Sequence, residues 1–135
     1  MRSFRIVVAA HGPLAEALVA SAAMICGRLD DVVALGLDPQ DSPESFAERL
    51  RAALGPPEAP VLILADLQGG TPCNVACLVA RDRASTAVVT GVNLGLLIES
   101  VIGLETLDEA AVDHLVSAGR DSIVDSTRRL VRDVT

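Results

Sequence analysis

The 135-residue chain contains no lysine, and its eleven basic residues are all arginines. P-loop nucleotide hydrolases, Schiff-base enzymes and pyridoxal-dependent enzymes all need a lysine amine, so these three classes are excluded. Eighteen acidic residues leave a formal net charge of −7. Because nucleic-acid-binding proteins normally present a basic surface, no nucleic-acid partner is expected.

Aromatic residues are almost absent as well: Phe4 and Phe46 are the only two, so the core must be aliphatic. No apolar run reaches the ~18 residues of a membrane span, and the stretch before His11 is too short for a signal peptide. Three cysteines without the spacing of a disulfide framework or a metal site indicate free thiols. These absences predict a cytoplasmic protein without metal or other cofactor.

Short apolar runs alternate with amphipathic stretches along the whole chain. Strands are predicted over residues 4–10, 31–37, 60–66 and 85–91, and helices beginning near residues 13, 43, 71, 94 and 108. Continuously apolar strands are typical of a parallel sheet covered on both faces. The pattern predicts one doubly wound α/β domain over residues 1–135, with four mainly parallel strands in the order 2-1-3-4 and helices on both faces. Residues 122–125 are predicted to form a short edge strand of the kind that pairs with another subunit, followed by a terminal helix.

Polar residues follow two strands that this order makes neighbours. His11 ends the first apolar run and Asp66 ends the third, so both should lie in the ligand crevice beyond the carboxyl ends of the strands. A carboxylate that accepts the proton of one imidazole nitrogen fixes the tautomer and leaves the other nitrogen as a nucleophile. Gly69 and Gly70 let backbone amides approach an anion, and Thr71 opens a helix whose first N–H groups are unpaired. Together these residues predict a histidine that carries a phosphoryl group.

Four residues allow other interpretations. Thr71 is also compatible with a simple helix cap, and Asn93 either lines the same crevice or only shapes the turn after the fourth strand. Cys73 lies in the first turn of a helix, which lowers a thiol pKa, but no arginine follows at the spacing of a thiol phosphatase, so a packing role is preferred. His114 has no comparable context and is predicted to lie at the surface.

A resemblance to a known family rests on three motifs in order: His11-Gly12, then Asp66 with Gly69-Gly70-Thr71-Pro72-Cys73-Asn74, then Thr90-Gly91-Val92-Asn93-Leu94. They resemble the IIA domain of mannose-type phosphoenolpyruvate-dependent sugar phosphotransferase systems. The similarity covers nearly the whole chain, as far as Gly119-Arg120. One departure is Gly95, which stands where such proteins commonly have proline.

The resemblance implies a homodimer that can exchange a C-terminal strand. It also implies that the phosphocarrier HPr phosphorylates His11, which passes the group to a IIB component during sugar import. Asp66 is then the partner of the imidazole, and Thr71 lines the phosphate pocket. Because the chain ends at Thr135 without a IIB domain, we expect a separate IIB protein and only indirect contact with the membrane, through the IIC and IID transporter components. The alternative function is a regulator whose phosphorylation state at His11 is read by another protein.

Overall fold

Four strands pair side by side in one parallel sheet in the computed structural model, which describes residues 2–128. The strands are β1 (Arg5–His11), β2 (Val32–Leu37), β3 (Val61–Ala65) and β4 (Thr86–Thr90). Their spatial order is β2-β1-β3-β4, and all three pairings are parallel. The predicted sheet and strand order are confirmed.

Helices follow the strands and cover both faces of the sheet. They are α1 (Leu14–Cys26), α2 (Pro43–Leu54), α3 (Thr71–Ala80), α4 (Leu94–Ile102) and α5 (Glu109–Asp121). The start of α2 shows why these boundaries were predictable: Pro43 is the first helical residue, and the Ser42 hydroxyl accepts a hydrogen bond from the backbone N–H of Ser45. None of these helices is both long and apolar enough to cross a membrane, among the residues described.

The core consists of two aliphatic layers, one on each face of the sheet. Successive side chains of a strand point to opposite faces. Ile6 and Val8 of β1 therefore pack towards α1, α4 and α5, whereas Val7 and Ala9 pack with Phe46 towards α2 and α3. Since β1 is completely buried between its ends, polar side chains on this strand reach solvent only where the strand ends.

The segment after α5 differs from the prediction. Ser122 caps α5, and its backbone N–H continues the helical bonding to Ala118 at 3.0 Å. Residues 123–125 form neither helix nor strand within the chain, so the predicted strand over residues 122–125 is not formed there. A strand exchanged with a second copy is a contact between chains and stays a prediction. Residues 126–128 are helical, and the remainder of the predicted terminal helix lies outside the described residues.

Candidate functional site

His11 and Asp66 meet at the carboxyl edge of the sheet. His11 is the last residue of β1, and Asp66 directly follows β3, the neighbouring strand. The Oδ2 atom of Asp66 accepts two hydrogen bonds from His11, one from the backbone N–H at 2.9 Å and one from ring Nδ1 at 2.8 Å. Because an ionised carboxylate can only accept, Nδ1 carries the proton. In the neutral ring, Nε2 is then an unprotonated nitrogen.

The two side chains differ in exposure. The side chain of His11 is 48% exposed, whereas that of Asp66 is 11% exposed. The second carboxylate oxygen of Asp66, Oδ1, is buried and has no hydrogen-bond partner among the described residues. Burial raises the pKa of Asp66, but the backbone N–H, the ring N–H and the charge of His11 together outweigh it and hold this pKa below its ordinary value of 3.8. Asp66 is therefore charged at neutral pH, and its charged carboxylate contacts the imidazole.

The N-terminus of α3 lies against the opposite edge of the imidazole. Gly70 is the N-cap of α3, and a Cβ atom at this position would lie 2.8 Å from Cε1 and 3.5 Å from Nε2 of His11. The ring can approach the helix only because this Cβ atom is missing. Gly69, with a φ of 85°, supplies the left-handed turn that brings Gly70 there.

Of the two interpretations of Thr71, the helix cap is not formed. Gly70 holds the cap position with extended backbone angles, and Thr71 is the first helical residue. Neither the Thr71 hydroxyl nor the backbone N–H groups of Thr71 and Cys73 have an acceptor in the part of the chain that the structure describes. Unpaired N–H groups at the positive end of a helix dipole form an anion-binding site. Gly70, the N-cap directly before these groups, is the residue against which the Cε1–Nε2 edge of the imidazole lies.

Asn93 both shapes a turn and lines a cavity. Its Oδ1 accepts the backbone N–H of Leu96 at 2.9 Å and caps α4, and its Nδ2 donates to the Gly119 carbonyl at 3.1 Å. The residue also lines a cavity of about 480 Å³ beside β4, together with Gln68 and Arg120. Because both amide atoms of Asn93 make hydrogen bonds, this residue shapes the turn after β4. The crevice that it lines is the cavity beside β4.

The thiols of α3 lack the features of a nucleophile. Cys73 is 6% exposed and contacts Cys77 one turn later. Desolvation and, after it, the neighbouring Cys73 raise the pKa of the Cys77 thiol, so this thiol is held in its protonated form. Arg81 lies at the opposite end of α3 from Cys73. This arrangement favours the packing role of Cys73 over a thiolate reaction.

Two residues near the site were not singled out from the sequence. The Nδ2 atom of Asn74 donates to the Gly69 carbonyl at 3.2 Å and so fixes the loop before α3. Gly36 of β2 leaves room for the carbonyl of Gly12, the residue after His11. An isolated glycine inside a strand is the available sequence signal for such a close backbone approach.

Comparison with known proteins identifies the family. The family model described as the fructose IIA component of the phosphotransferase system, EIIA-man, matches residues 5–117. The chain belongs to this family. The resemblance to mannose-type IIA domains is thereby confirmed.

The similarity to other proteins covers different fractions of this EIIA-man chain and of each relative. The mannose-specific EIIAB component of Escherichia coli K12 is 31% identical over 124 residues, which cover 87% of this chain but 38% of that protein. The fructose-specific EIIA component of Bacillus subtilis is 31% identical over 96 residues, or 70% of this chain and 66% of that one. The mannose/sorbose IIA subunit from Enterococcus faecalis superimposes with a TM-score of 0.84 and 34% identity, covering 92% of this chain and 94% of its own.

Replacing Asp66 by asparagine should flatten the acid side of the pH–stability curve. The pKa of Asp66 is lower in the folded protein than in the unfolded chain, so its charged form stabilises the fold above pH 3.8, and this contribution disappears as the pH falls through the folded pKa. Urea unfolding at a series of pH values should show a steeper acid loss of stability for the wild type than for D66N. The control is D113N at an exposed position of α5, which should parallel the wild type; parallel curves for wild type and D66N would contradict the prediction.

Proposed function

We propose that this chain is a phosphoryl carrier of a sugar phosphotransferase system and that His11 is the residue that carries the group. Membership of the EIIA-man family supports the system. The observation that carries the residue assignment is the place of the His11 ring, with Nδ1 on the carboxylate of Asp66 and its Nε2 edge against the N-terminus of α3.

The second histidine of the chain provides an internal comparison. His114 pairs with Glu99 at 2.8 Å, the same distance as between His11 and Asp66, and its side chain is 55% exposed against 48% for His11. The distance to the carboxylate and the exposure of the ring therefore do not distinguish the two histidines, although Asp66 contacts Nδ1 of His11 and Glu99 contacts Nε2 of His114. The difference is the anion site: His11 lies against a helix N-cap, whereas His114 and Glu99 both lie beyond the first turn of their helices. A phosphoryl group needs such N–H donors, which supports His11.

In the proposed step, the unprotonated Nε2 of His11 attacks the phosphorus of a phosphohistidine on the donor protein. The new N–P bond forms as the donor's N–P bond breaks, and the donor imidazole leaves with the electron pair. The His11 ring gains positive character, which the Asp66 carboxylate stabilises through Nδ1. The backbone N–H groups of Thr71 and Cys73 and the Thr71 hydroxyl would bind the phosphoryl oxygens, with Gly69 and Gly70 shaping the loop.

The partners follow from the family resemblance. HPr is the proposed donor, and a IIB protein is the proposed acceptor, which receives the group from His11 by the same displacement in the opposite sense. The proposed location is the cytoplasm, where the three free cysteines stay reduced. Contact with the sugar transporter would pass through the IIB protein.

Replacing His11 should abolish phosphoryl acceptance. Incubation with phosphoenolpyruvate, enzyme I and HPr should add one acid-labile phosphoryl group to the wild type, none to H11A and one to H114A, as read from intact-protein mass. H114A is a matched control because it removes the other histidine ring that contacts a carboxylate at 2.8 Å, there through Nε2. Circular dichroism checks that both variants are folded. A phosphoryl adduct on H11A, or none on H114A, would contradict the assignment.

D66N should accept the phosphoryl group more slowly than the wild type while remaining folded. An asparagine amide can donate to Nδ1, which would move the ring proton to Nε2 and block the nucleophile. We expect the rate of labelling by phospho-HPr to fall about 10-fold or more, measured by rapid quenching and mass. D113N serves as the control for loss of one surface charge, and equal rates for D66N and wild type would make Asp66 a purely structural residue.

We also propose that the protein forms a homodimer along β4. This strand lies at the edge of the sheet, and its carboxyl half lines the 480 Å³ cavity together with Ile123. Ile123 and Val124 are 79% and 51% exposed at the end of α5. An open strand edge beside exposed apolar residues is a site where another chain can pair.

Light scattering at micromolar concentration should give the mass of a dimer. I123D should shift the equilibrium towards monomer because it places a carboxylate in the proposed interface. I102D is the matched control, since Ile102 is similarly exposed at 68% but lies at the end of α4. A monomeric wild type, or equal dissociation of both variants, would remove β4 from the interface.

A further inference from the structure

We propose that Gly36 is a positioning residue for His11: it leaves room on β2 for the Gly12 carbonyl and thereby sets the turn that presents the imidazole. This role rests on the proposed function of His11 and extends it to a residue on a different strand.

The turn after His11 is held by β2. Gly36 is the next-to-last residue of β2 and pairs with Ala10 of β1. One step further, the backbone N–H of Gly12 donates to the Leu37 carbonyl at 2.9 Å, which prolongs the pairing beyond the end of β1. Gly12 then adopts a φ of 56° and turns the chain towards α1. The residue bonded to His11 is thus fixed by the strand on which Gly36 lies.

The backbones of Gly12 and Gly36 lie too close together to leave space for a side chain at position 36. A Cβ atom on Gly36 would lie 2.3 Å from the carbonyl oxygen of Gly12 and 3.5 Å from its carbonyl carbon. The obstructed atoms belong to the backbone of a hydrogen-bonded turn and not to the free end of a side chain. Any side chain at position 36 would therefore displace Gly12.

The displacement would reach the imidazole because His11 is held from both sides. Asp66 binds its backbone N–H and its Nδ1 from the β3 side, and β2 holds Gly12 on the other side. A shift of Gly12 would change the backbone of His11, disturb the contact between Nδ1 and Asp66 and move Nε2 away from α3. A misplacement of about 1 Å can lower the rate of a positioned reaction by ~100-fold.

The backbone of Gly36 cannot easily yield instead. The Nη2 atom of Arg49 donates to the Gly36 carbonyl at 3.0 Å, and Nη1 of the same side chain donates to Asp41 at 2.8 Å. The backbone N–H of Asp38 and then the Ser45 hydroxyl keep the pKa of Asp41 below its ordinary value. The carboxylate is therefore charged at neutral pH, and Arg49 stays anchored against the end of β2.

The test is G36A, which adds only the obstructing Cβ atom. Ala34 lies two residues earlier on the same face of β2, so A34G is a matched control that weakens the strand without touching the turn. G36A should accept the phosphoryl group from phospho-HPr at least about 10-fold more slowly than the wild type, whereas A34G should stay close to the wild type. In unphosphorylated protein, the NMR signal of the hydrogen-bonded Nδ1–H of His11 should be lost or shifted in G36A and retained in A34G.

Two outcomes of the G36A experiment would overturn the proposal. One is a wild-type rate and an unchanged Nδ1–H signal in G36A. The other is a loss of rate in G36A and A34G that follows their free energies of unfolding in urea, since Gly36 would then act on stability alone. If G36A does not fold, R49M tests the same turn by releasing the Gly36 carbonyl: a shifted Nδ1–H signal supports the proposal, and an unchanged signal and rate overturn it. If the wild type takes up no phosphoryl group, the proposed function fails, while the Nδ1–H comparison still reports on the positioning of His11.

Discussion

Asp66 accepts two hydrogen bonds from one residue, His11, with a single carboxylate oxygen, and these bonds join the ends of two neighbouring strands. One of them fixes the backbone at the end of β1, and the other fixes the tautomer of the ring. Both depend on β1 lying beside β3, because the residue after β3 reaches His11 only when the two strands are neighbours and end at the same edge of the sheet. The position of the imidazole therefore follows from the order of the strands.

The proposed phosphoryl site would bind its anion with neutral groups. Its donors are backbone N–H groups at the start of α3 and the Thr71 hydroxyl, and the charged residue that contacts the ring, Asp66, is negative. A carrier must release the group it accepts, and neutral donors with a helix dipole stabilise a phosphoryl group less than a buried arginine pair would. In the proposed step Asp66 would contribute to the same balance, since its carboxylate would stabilise the ring when positive charge develops there. It also accepts the hydrogen bond from Nδ1–H and so leaves Nε2 unprotonated in the neutral ring.

The sequence-based prediction was accurate where a structural feature depends on residues close together in the chain. Continuous apolar runs predicted β1 and β3 within a residue or two, because residues buried on both faces leave no alternation in the pattern. The start of α3 was predicted near residue 71, where the helix begins, but the interpretation of Thr71 as its cap is one residue late, because glycine and threonine are both acceptable caps. The strand expected over residues 122–125 is absent from the single chain, since a strand needs a partner and the N–H of Ser122 already bonds within α5.

Local sequence patterns predict the alternation of strands and helices, the apolar layers and the polar residues at the strand ends, since these depend on neighbours a few positions apart. The carboxylate partner of His114 became visible only in the folded structure, where Glu99 contacts it at the same 2.8 Å that separates His11 and Asp66. The tertiary structure also decided the contact between Gly36 and Gly12 and the unpartnered oxygen of Asp66. These features arise between residues far apart in the chain, such as His11 and Asp66 at a separation of 55, and packing of whole strands sets their distances to tenths of an ångström.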